Sequence, residues 1–500
     1  MVEFLSLMLS NVFLLLISFI ICLFLLDFVK SRKNGSQFPP GPKGVPFLGN
    51  ILQVNFRNPT KSLHQLRKEF GDVYSLQYFW NKTVVLNGFE LIKEALINRS
   101  EDIADRPRFP IYEKIGYVGD TKGIIIAQYG SSWKEHRRFT MSTLRNFGMG
   151  KKSLEERVAE EAQCLCSAFK AQKDQFNPHY LINNAVANVI LSIAFGDRCN
   201  YDDAEFQRLL YLSSEGLKGK SGLLSQILNE IPFLMNIPWL IDPVMQADYE
   251  VITFFKEKVS EHQKTWNPNY TRDFTDAYLV EMEKVKEDSG SSLNEGNLLM
   301  TIYDLFMAGT ETTSTTLRWA LLYMILYPDV QSKVQEEIDE VIGRERTPTM
   351  GDMLQMPYTN AVIHEVQRCG DVIPLPVHMT YKDIEIKGYI IPKGTTVIAN
   401  LSSVLKDQKV WEKPFQFYPM HFLDENGKFV KREVFIPFSA GRRSCLGEQL
   451  ARMELFLFFT TLLQQLTFEI PNDQPCPRED PLYKFFLSPY PYNIHVVARV

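Results

Sequence analysis

The chain has 500 residues, of which 45% are hydrophobic and 23% charged, and its formal net charge is -5. That composition suits a globular protein of one large domain or several smaller ones, and its slight acidity gives no reason to expect nucleic-acid binding. Seven cysteines are irregularly spaced and contain no Cys-x-x-Cys pair, which argues against a disulfide framework or zinc ribbon and fits reduced thiols facing the cytosol.

The stretch from Phe4 to Leu26 is almost uncharged and rich in Leu, Ile and Phe. At about 1.5 Å per residue it is long enough to cross a hydrocarbon layer of about 30 Å. Lys30, Arg32 and Lys33 follow it, and positive charge on that side leaves the following chain in the cytosol. A cleaved signal peptide is the rival reading. Against it, the apolar stretch is longer than usual and the charges lie on its far side. The expected organisation is a transmembrane anchor over residues 1–28, a basic and proline-rich hinge over 29–50, and one domain over 51–500. Within the hinge, Gln37-Phe38-Pro39-Pro40-Gly41-Pro42 resists helix formation and stiffens the chain.

Strand-like runs occupy Val73 to Tyr78, Thr83 to Asn87, Ile384 to Ile386, Thr396 to Ala399 and Asn493 to Ala498. Val434 to Pro437 is a further beta-like stretch. Longer helical patterns cover Ser153 to Lys173, Asn297 to Tyr327, Val330 to Ile342, Tyr358 to Gly370 and Glu448 to Leu466. Helices outnumber small, segregated strands, so the expected fold class is mainly α (α+β).

Several short patterns carry chemistry. Trp133 and Arg137 lie four apart on one helix face, where an indole N–H and a guanidinium can both donate to carboxylates. Ala308-Gly309-Thr310-Glu311-Thr312-Thr313 interrupts a helical run with glycine and β-branched residues. A hydroxyl there can bond back to a carbonyl one turn earlier and bend the axis. Glu365 and Arg368 share a helix face. His364-Glu365-Val366-Gln367-Arg368 nearly spells the zinc-protease motif, but Arg368 stands where the second histidine ligand belongs. Finally, Cys445 lies in Phe438-Ser439-Ala440-Gly441-Arg442-Arg443-Ser444-Cys445-Leu446-Gly447, a Gly-rich turn before a helix. A helix start and nearby arginines depress a thiol pKa, making a nucleophile or a metal ligand. Gly441 suits a tight turn and Gly447 close backbone packing.

This last run resembles the haem-binding loop of the cytochrome P450 haem-thiolate monooxygenases. Phe438, Gly441, Arg443, Cys445 and Gly447 meet its five fixed positions, and the resemblance extends over nearly the whole chain. It implies the cytochrome P450 fold, with haem b (iron protoporphyrin IX) between a long central helix and the cysteine loop. Cys445 becomes the axial iron ligand, a thiolate that favours O–O cleavage. Ala308, Gly309, Glu311 and Thr312 match the oxygen pocket. Dioxygen needs two protons before its O–O bond breaks heterolytically, so Thr312 holds the hydrogen bond and Glu311 refills the proton path. Trp133, Arg137 and Arg443 match propionate contacts, and Arg106 and His378 do so by position. Glu365 and Arg368 match a buried structural pair, and His421 stands where many relatives have an arginine completing a triad. A histidine there is familiar in the vertebrate microsomal family 2. The phrases Leu144-Arg145-Asn146-Phe147-Gly148-Met149-Gly150-Lys151 and Ala451-Arg452-Met453-Glu454-Leu455-Phe456 resemble the same branch.

What that branch implies is a microsomal, endoplasmic reticulum enzyme that hydroxylates or epoxidises lipophilic xenobiotics, fatty acids or steroids. Electrons come from NADPH through NADPH–cytochrome P450 reductase, with cytochrome b5 as a second candidate donor. Lys134, Arg138, Lys431, Arg432 and Arg442 are candidates to attract an acidic donor, or are a plain solvated surface. Substrate contacts fall at Phe109, Ile124, Phe306, Ala308, Ile373, Val377 and Leu487, all apolar, which suits a greasy pocket but equally a core. A haem-thiolate isomerase without outside electrons and a non-enzymatic haem sensor are the competing functions.

Overall fold

A computed structural model describes Ser18 and residues 37–119, 121–146, 152–287, 290–483 and 485–499. The anchor expected over 1–28 lies outside the described residues apart from Ser18, and so do Lys30, Arg32, Lys33 and residues 147–151. Among the described residues no helix is long and apolar enough to cross a membrane.

The chain divides into two compact units. The first joins Met1–Pro107 to Leu375–Asn400, and the second joins Arg108–Pro374 to Leu401–Val500. The first unit is discontinuous because its sheet draws strands from both segments. Val73–Tyr78 pairs antiparallel with Asn81–Asn87, which runs parallel to Thr396–Asn400, which pairs antiparallel with Val377–Met379. The described part of the hinge is not a free spacer. Ser75 donates its amide to the Pro40 carbonyl at 2.7 Å and its hydroxyl to the Pro39 carbonyl at 2.8 Å. Asn50 is buried and donates to the Pro42 carbonyl at 3.0 Å. Prolines lack an N–H but keep a carbonyl, so this segment accepts from the sheet edge.

The second unit is built around Glu295–Leu326, the central helix. The Asn294 side chain caps it by accepting the Asn297 amide at 2.8 Å, and Pro328 starts the next helix, Pro328–Val341. Most residues from Asn297 to Ile325 are buried, because apolar side chains occur on every side of this helix and it belongs in an interior. Helices His179–Phe195, Pro238–Lys264, Pro357–Gly370 and Glu448–Gln465 pack around it. The helices expected from periodicity are present with ends shifted by a few residues. The interruption expected at Ala308–Thr313 is absent. The helix runs through it, and Gly309 instead lets a neighbour approach: a Cβ there would lie 2.5 Å from Cδ1 of Ile190 on His179–Phe195.

The beta-like reading of Val434 to Pro437 is also corrected, since no strand forms there. Pro437 has no N–H to give a ladder, and the Ile436 carbonyl is taken by the Ser439 amide at 3.0 Å in a turn.

Candidate active site

The cysteine loop is a folded turn, not an extended strand end. Ser439 and Gly441 both have positive φ, 60° and 73°, and the Cys445 amide donates across the turn to the Phe438 carbonyl at 2.9 Å. Gly441 therefore plays the part expected of it. Gly447 does not, because a Cβ there would meet nothing within 4 Å. Its amide instead donates toward the Cys445 sulfur.

Cys445 is solvent-accessible yet surrounded by protein atoms. Burial pushes the thiol pKa up, opposed by the Gly447 amide, raised further by Glu448 and opposed again by Arg137. The depression expected from Arg442 and Arg443 is not found. Desolvation outweighs the helix start, and the cation that faces the sulfur is Arg137, from Ser131–Asn146.

Trp133, Arg137 and Arg443 do converge. Arg443 lies over the Trp133 ring at 4.0 Å and Arg137 at 5.5 Å. Their donors reach backbone carbonyls. Trp133 Nε1 donates to Ile124 O at 3.2 Å, Arg137 to Ser444 O at 2.7 Å, and Arg443 to Ile124 O at 3.3 Å and Ala127 O at 2.5 Å. The indole N–H meets a backbone carbonyl in this arrangement, as do the donors of both arginines. Arg137 has no carboxylate partner among the described residues.

On the central helix Ala308 is exposed although most of the helix is buried, and Thr312, one turn on, is half-buried. Thr312 donates its hydroxyl to Ala308 O at 2.6 Å, the back-bond that the sequence suggested. Glu311 is half-buried. An accessible thiol, an accessible alanine in mid-helix, an open cradle over Gly447 and a guanidinium without a carboxylate fit a flat group carrying a metal and anionic arms. The residues of this unit therefore fit haem.

Glu365 and Arg368 form a fully buried pair with two bonds of 2.7 Å. Arg368 also donates to the carbonyls of Leu405, Pro414 and Gln416 at 2.8–2.9 Å. His421 completes the group, with Nδ1 3.1 Å from Glu365 Oε1. The neighbouring His364 is no zinc ligand. Its Nδ1 meets Asn360 O at 2.8 Å and its Nε2 meets Arg452 at 3.0 Å. Burial, then the Arg452 charge, push its pKa down to about 3.

Other expected residues are dispersed. Arg106 and His378 lie in the first unit, where Arg106 donates to the Val377 carbonyl and His378 is buried. Val377 belongs to the same strand. Of the proposed substrate contacts in the second unit, Ile373 is exposed and Phe109 half-buried, whereas Ile124, Phe306 and Leu487 are buried. Phe306 packs on Phe255 with ring centroids 5.1 Å apart. Lys134, Arg138, Lys431, Arg432 and Arg442 are all exposed.

Sequence reasoning missed Asp304. It is buried and accepts from Tyr117 Oη at 2.6 Å, Ile124 N at 2.6 Å and Ile125 N at 3.1 Å. It fastens the 117–125 segment, and with it the carbonyl used by Trp133 and Arg443, to the central helix. Burial pushes its pKa up to about 6 against those bonds. The available signal was a lone carboxylate inside the apolar run Ile302-Tyr303-Asp304-Leu305-Phe306.

Residues 39–496 match the family model described as Cytochrome P450. The chain is 54% identical to Cytochrome P450 2D6 of Homo sapiens over 483 residues, 96% of this chain and 97% of that protein. It is 53% identical to Cytochrome P450 2D15 of Canis lupus familiaris over 483 residues, again 96% and 97%. It is 52% identical to the Vitamin D(3) 25-hydroxylase of Sus scrofa over 490 residues, 97% and 98%.

Proposed function

The chain belongs to the cytochrome P450 family, and from that premise we propose that Cys445 is its haem ligand and that Thr312 and Glu311 serve its oxygen chemistry. It is a haem-thiolate monooxygenase. The observation that carries the residue assignment is the accessible Cys445 in a turn closed by its own amide on Phe438 O.

When bound, haem supplies the iron at which dioxygen is reduced and one oxygen atom passes to substrate. The chain does the rest. Gly447 N–H offers the Cys445 sulfur a hydrogen bond that favours its anion, and Arg137 supplies the nearby positive charge. Arg137 and Arg443 hold the propionates, a reading supported by the Trp133 ring that both guanidinium groups pack on and by the segment that Asp304 fixes. Thr312 already gives its hydrogen to Ala308 O, so its oxygen acts as an acceptor that orients a proton donor. Glu311 carries protons to that point. Ala308, having only a methyl, leaves room for substrate on this face.

The substrate is lipophilic, and the name of the pig relative puts vitamin D3 on the first panel to try, beside amphiphilic drugs and fatty acids. The exposed cations Lys134, Arg138, Lys431, Arg432 and Arg442 suit the acidic face of a flavoprotein reductase. An endoplasmic reticulum anchor with the catalytic part in the cytosol leaves all four glycan acceptor sites unmodified, the exposed Asn81, Asn98 and Asn269 and the buried Asn400.

The test is spectroscopic. Reduced protein with carbon monoxide is expected to show the long-wavelength band of thiolate ligation, and Cys445→Ser to lose it. A variant that keeps the band refutes the assignment. NADPH-dependent turnover with reductase separates the monooxygenase from an isomerase, which needs no electrons.

A further inference from the structure

A small, partly open cavity lies between helices His179–Phe195, Ala204–Ser221 and the central helix, lined by Asn183, Ser213, Phe306, Thr310 and Glu311 among others. It is too small for an organic ligand and has room for about one water molecule. Two of its polar atoms are orphans. Asn183 is 6% and Thr310 5% exposed, and among the described residues neither Asn183 Oδ1 nor Thr310 Oγ1 has a hydrogen-bond partner. Ser213 donates to Leu209 O at 2.8 Å, which leaves its lone pairs able to accept. A buried carbonyl or hydroxyl left unpaired costs about 1–3 kcal/mol, and natural interiors meet that cost with ordered water. Glu311 lines the same cavity.

We propose that this cavity holds an ordered water, positioned by Asn183, Ser213 and Thr310, that passes solvent protons to Glu311. The inference rests on the reading of Glu311 and Thr312 given above and supplies its missing inlet. The reaction R–H + O2 + two electrons + two protons gives R–OH + H2O. The electrons come from the reductant of the monooxygenase reaction and do not use this route. For each proton, an O–H bond of the water breaks as one forms on the Glu311 carboxylate. The water takes a replacement from solvent in the same motion and ends unchanged. Asn183 and Thr310 are positioning residues, since they act through the water.

The measurement has two arms. A high-resolution crystal structure of the holoenzyme is expected to show a water bonded to Asn183 Oδ1 and Thr310 Oγ1, and to lack it in Thr310→Val. In reconstituted turnover, Thr310→Val and Asn183→Leu are expected to keep the carbon monoxide band. Product formed per NADPH is expected to fall about fivefold, the scale of one lost hydrogen bond, with released peroxide taking up the difference and an altered solvent deuterium isotope effect. Thr310→Ser is expected to restore coupling. A dry cavity overturns the proposal, and so does wild-type coupling in Thr310→Val while Thr312→Ala is uncoupled. If Thr312→Ala itself stays coupled, the reading of the central helix falls and takes the inlet with it.

Discussion

His421 meets the Glu365 carboxylate through Nδ1 while its Nε2 accepts the Lys413 amide at 3.1 Å. An accepting Nε2 places the ring proton on Nδ1, the tautomer that donates to Glu365. The histidine therefore fills the third place of the triad with a single proton, where a permanently charged arginine would have brought a second cation beside Arg368.

Loss of the pair and loss of its third member should differ in size. Arg368→Ala leaves Glu365 buried and uncompensated and is expected to cost about 3–5 kcal/mol, enough to prevent haem retention. His421→Ala removes one bond to the carboxylate and is expected to cost about 1–3 kcal/mol. Thermal unfolding followed by far-ultraviolet circular dichroism ranks the two, and equal losses would contradict the geometry.

The Thr312 oxygen should matter more than its shape. Thr312→Ser keeps a hydroxyl for the Ala308 carbonyl and is expected to stay coupled. Thr312→Val does not, and product per NADPH is expected to fall about a hundredfold or more, within the range of about 10²–10⁴ typical of proton-transfer groups. Peroxide release measured beside product decides it.

Glu454 predicts a pH dependence of stability. It is 1% exposed, its Oε1 has no partner among the described residues, and burial pushes its pKa up to about 8 against a bond from Thr313. The folded state keeps this proton over a range in which the unfolded chain has released it, so the folded state binds more protons and stability falls as pH rises. The window runs from about 4.5 to about 8. At about 1.4 kcal/mol per pH unit the full effect is several kcal/mol. Glu454→Gln is expected to remove it. The stability difference between variant and wild type should move in the variant's favour from pH 5 to pH 8, and a flat difference would show that the carboxyl is ionised in the fold.

Gly309 should be replaceable only with its neighbour. Gly309→Ala brings a methyl against Ile190 and is expected to cost about 1–3 kcal/mol. Ile190→Val removes the clashing Cδ1, so the double variant is expected to recover part of that loss. A double-mutant cycle in urea measures the coupling.

The long helices and the cysteine loop were legible because periodicity and a fixed motif are local properties. Glu448–Gln465 and Glu295–Leu326 fall within a few residues of expectation for that reason. What failed was non-local. The Cys445 thiol moves opposite to expectation because its desolvation depends on atoms from elsewhere in the chain. Arg137, eight residues from Tyr129 but more than three hundred from Cys445, is adjacent to the sulfur only after folding. The Ile124 carbonyl that the Trp133 indole meets was not legible either, because no side-chain pattern marks it. The polar lining of the cavity at Thr310 was invisible for a related reason, since its partner surface is Asn183 on another helix.

Arg368 gathers the carbonyls of Leu405, Pro414 and Gln416 around one guanidinium. During synthesis, Pro357–Gly370 is made before those acceptors. Until then its arginine has a carboxylate but not the remainder of its lattice. A chain ending before Gln416 leaves this guanidinium short of acceptors, so the helix is expected to settle only once residues 405–416 have been added.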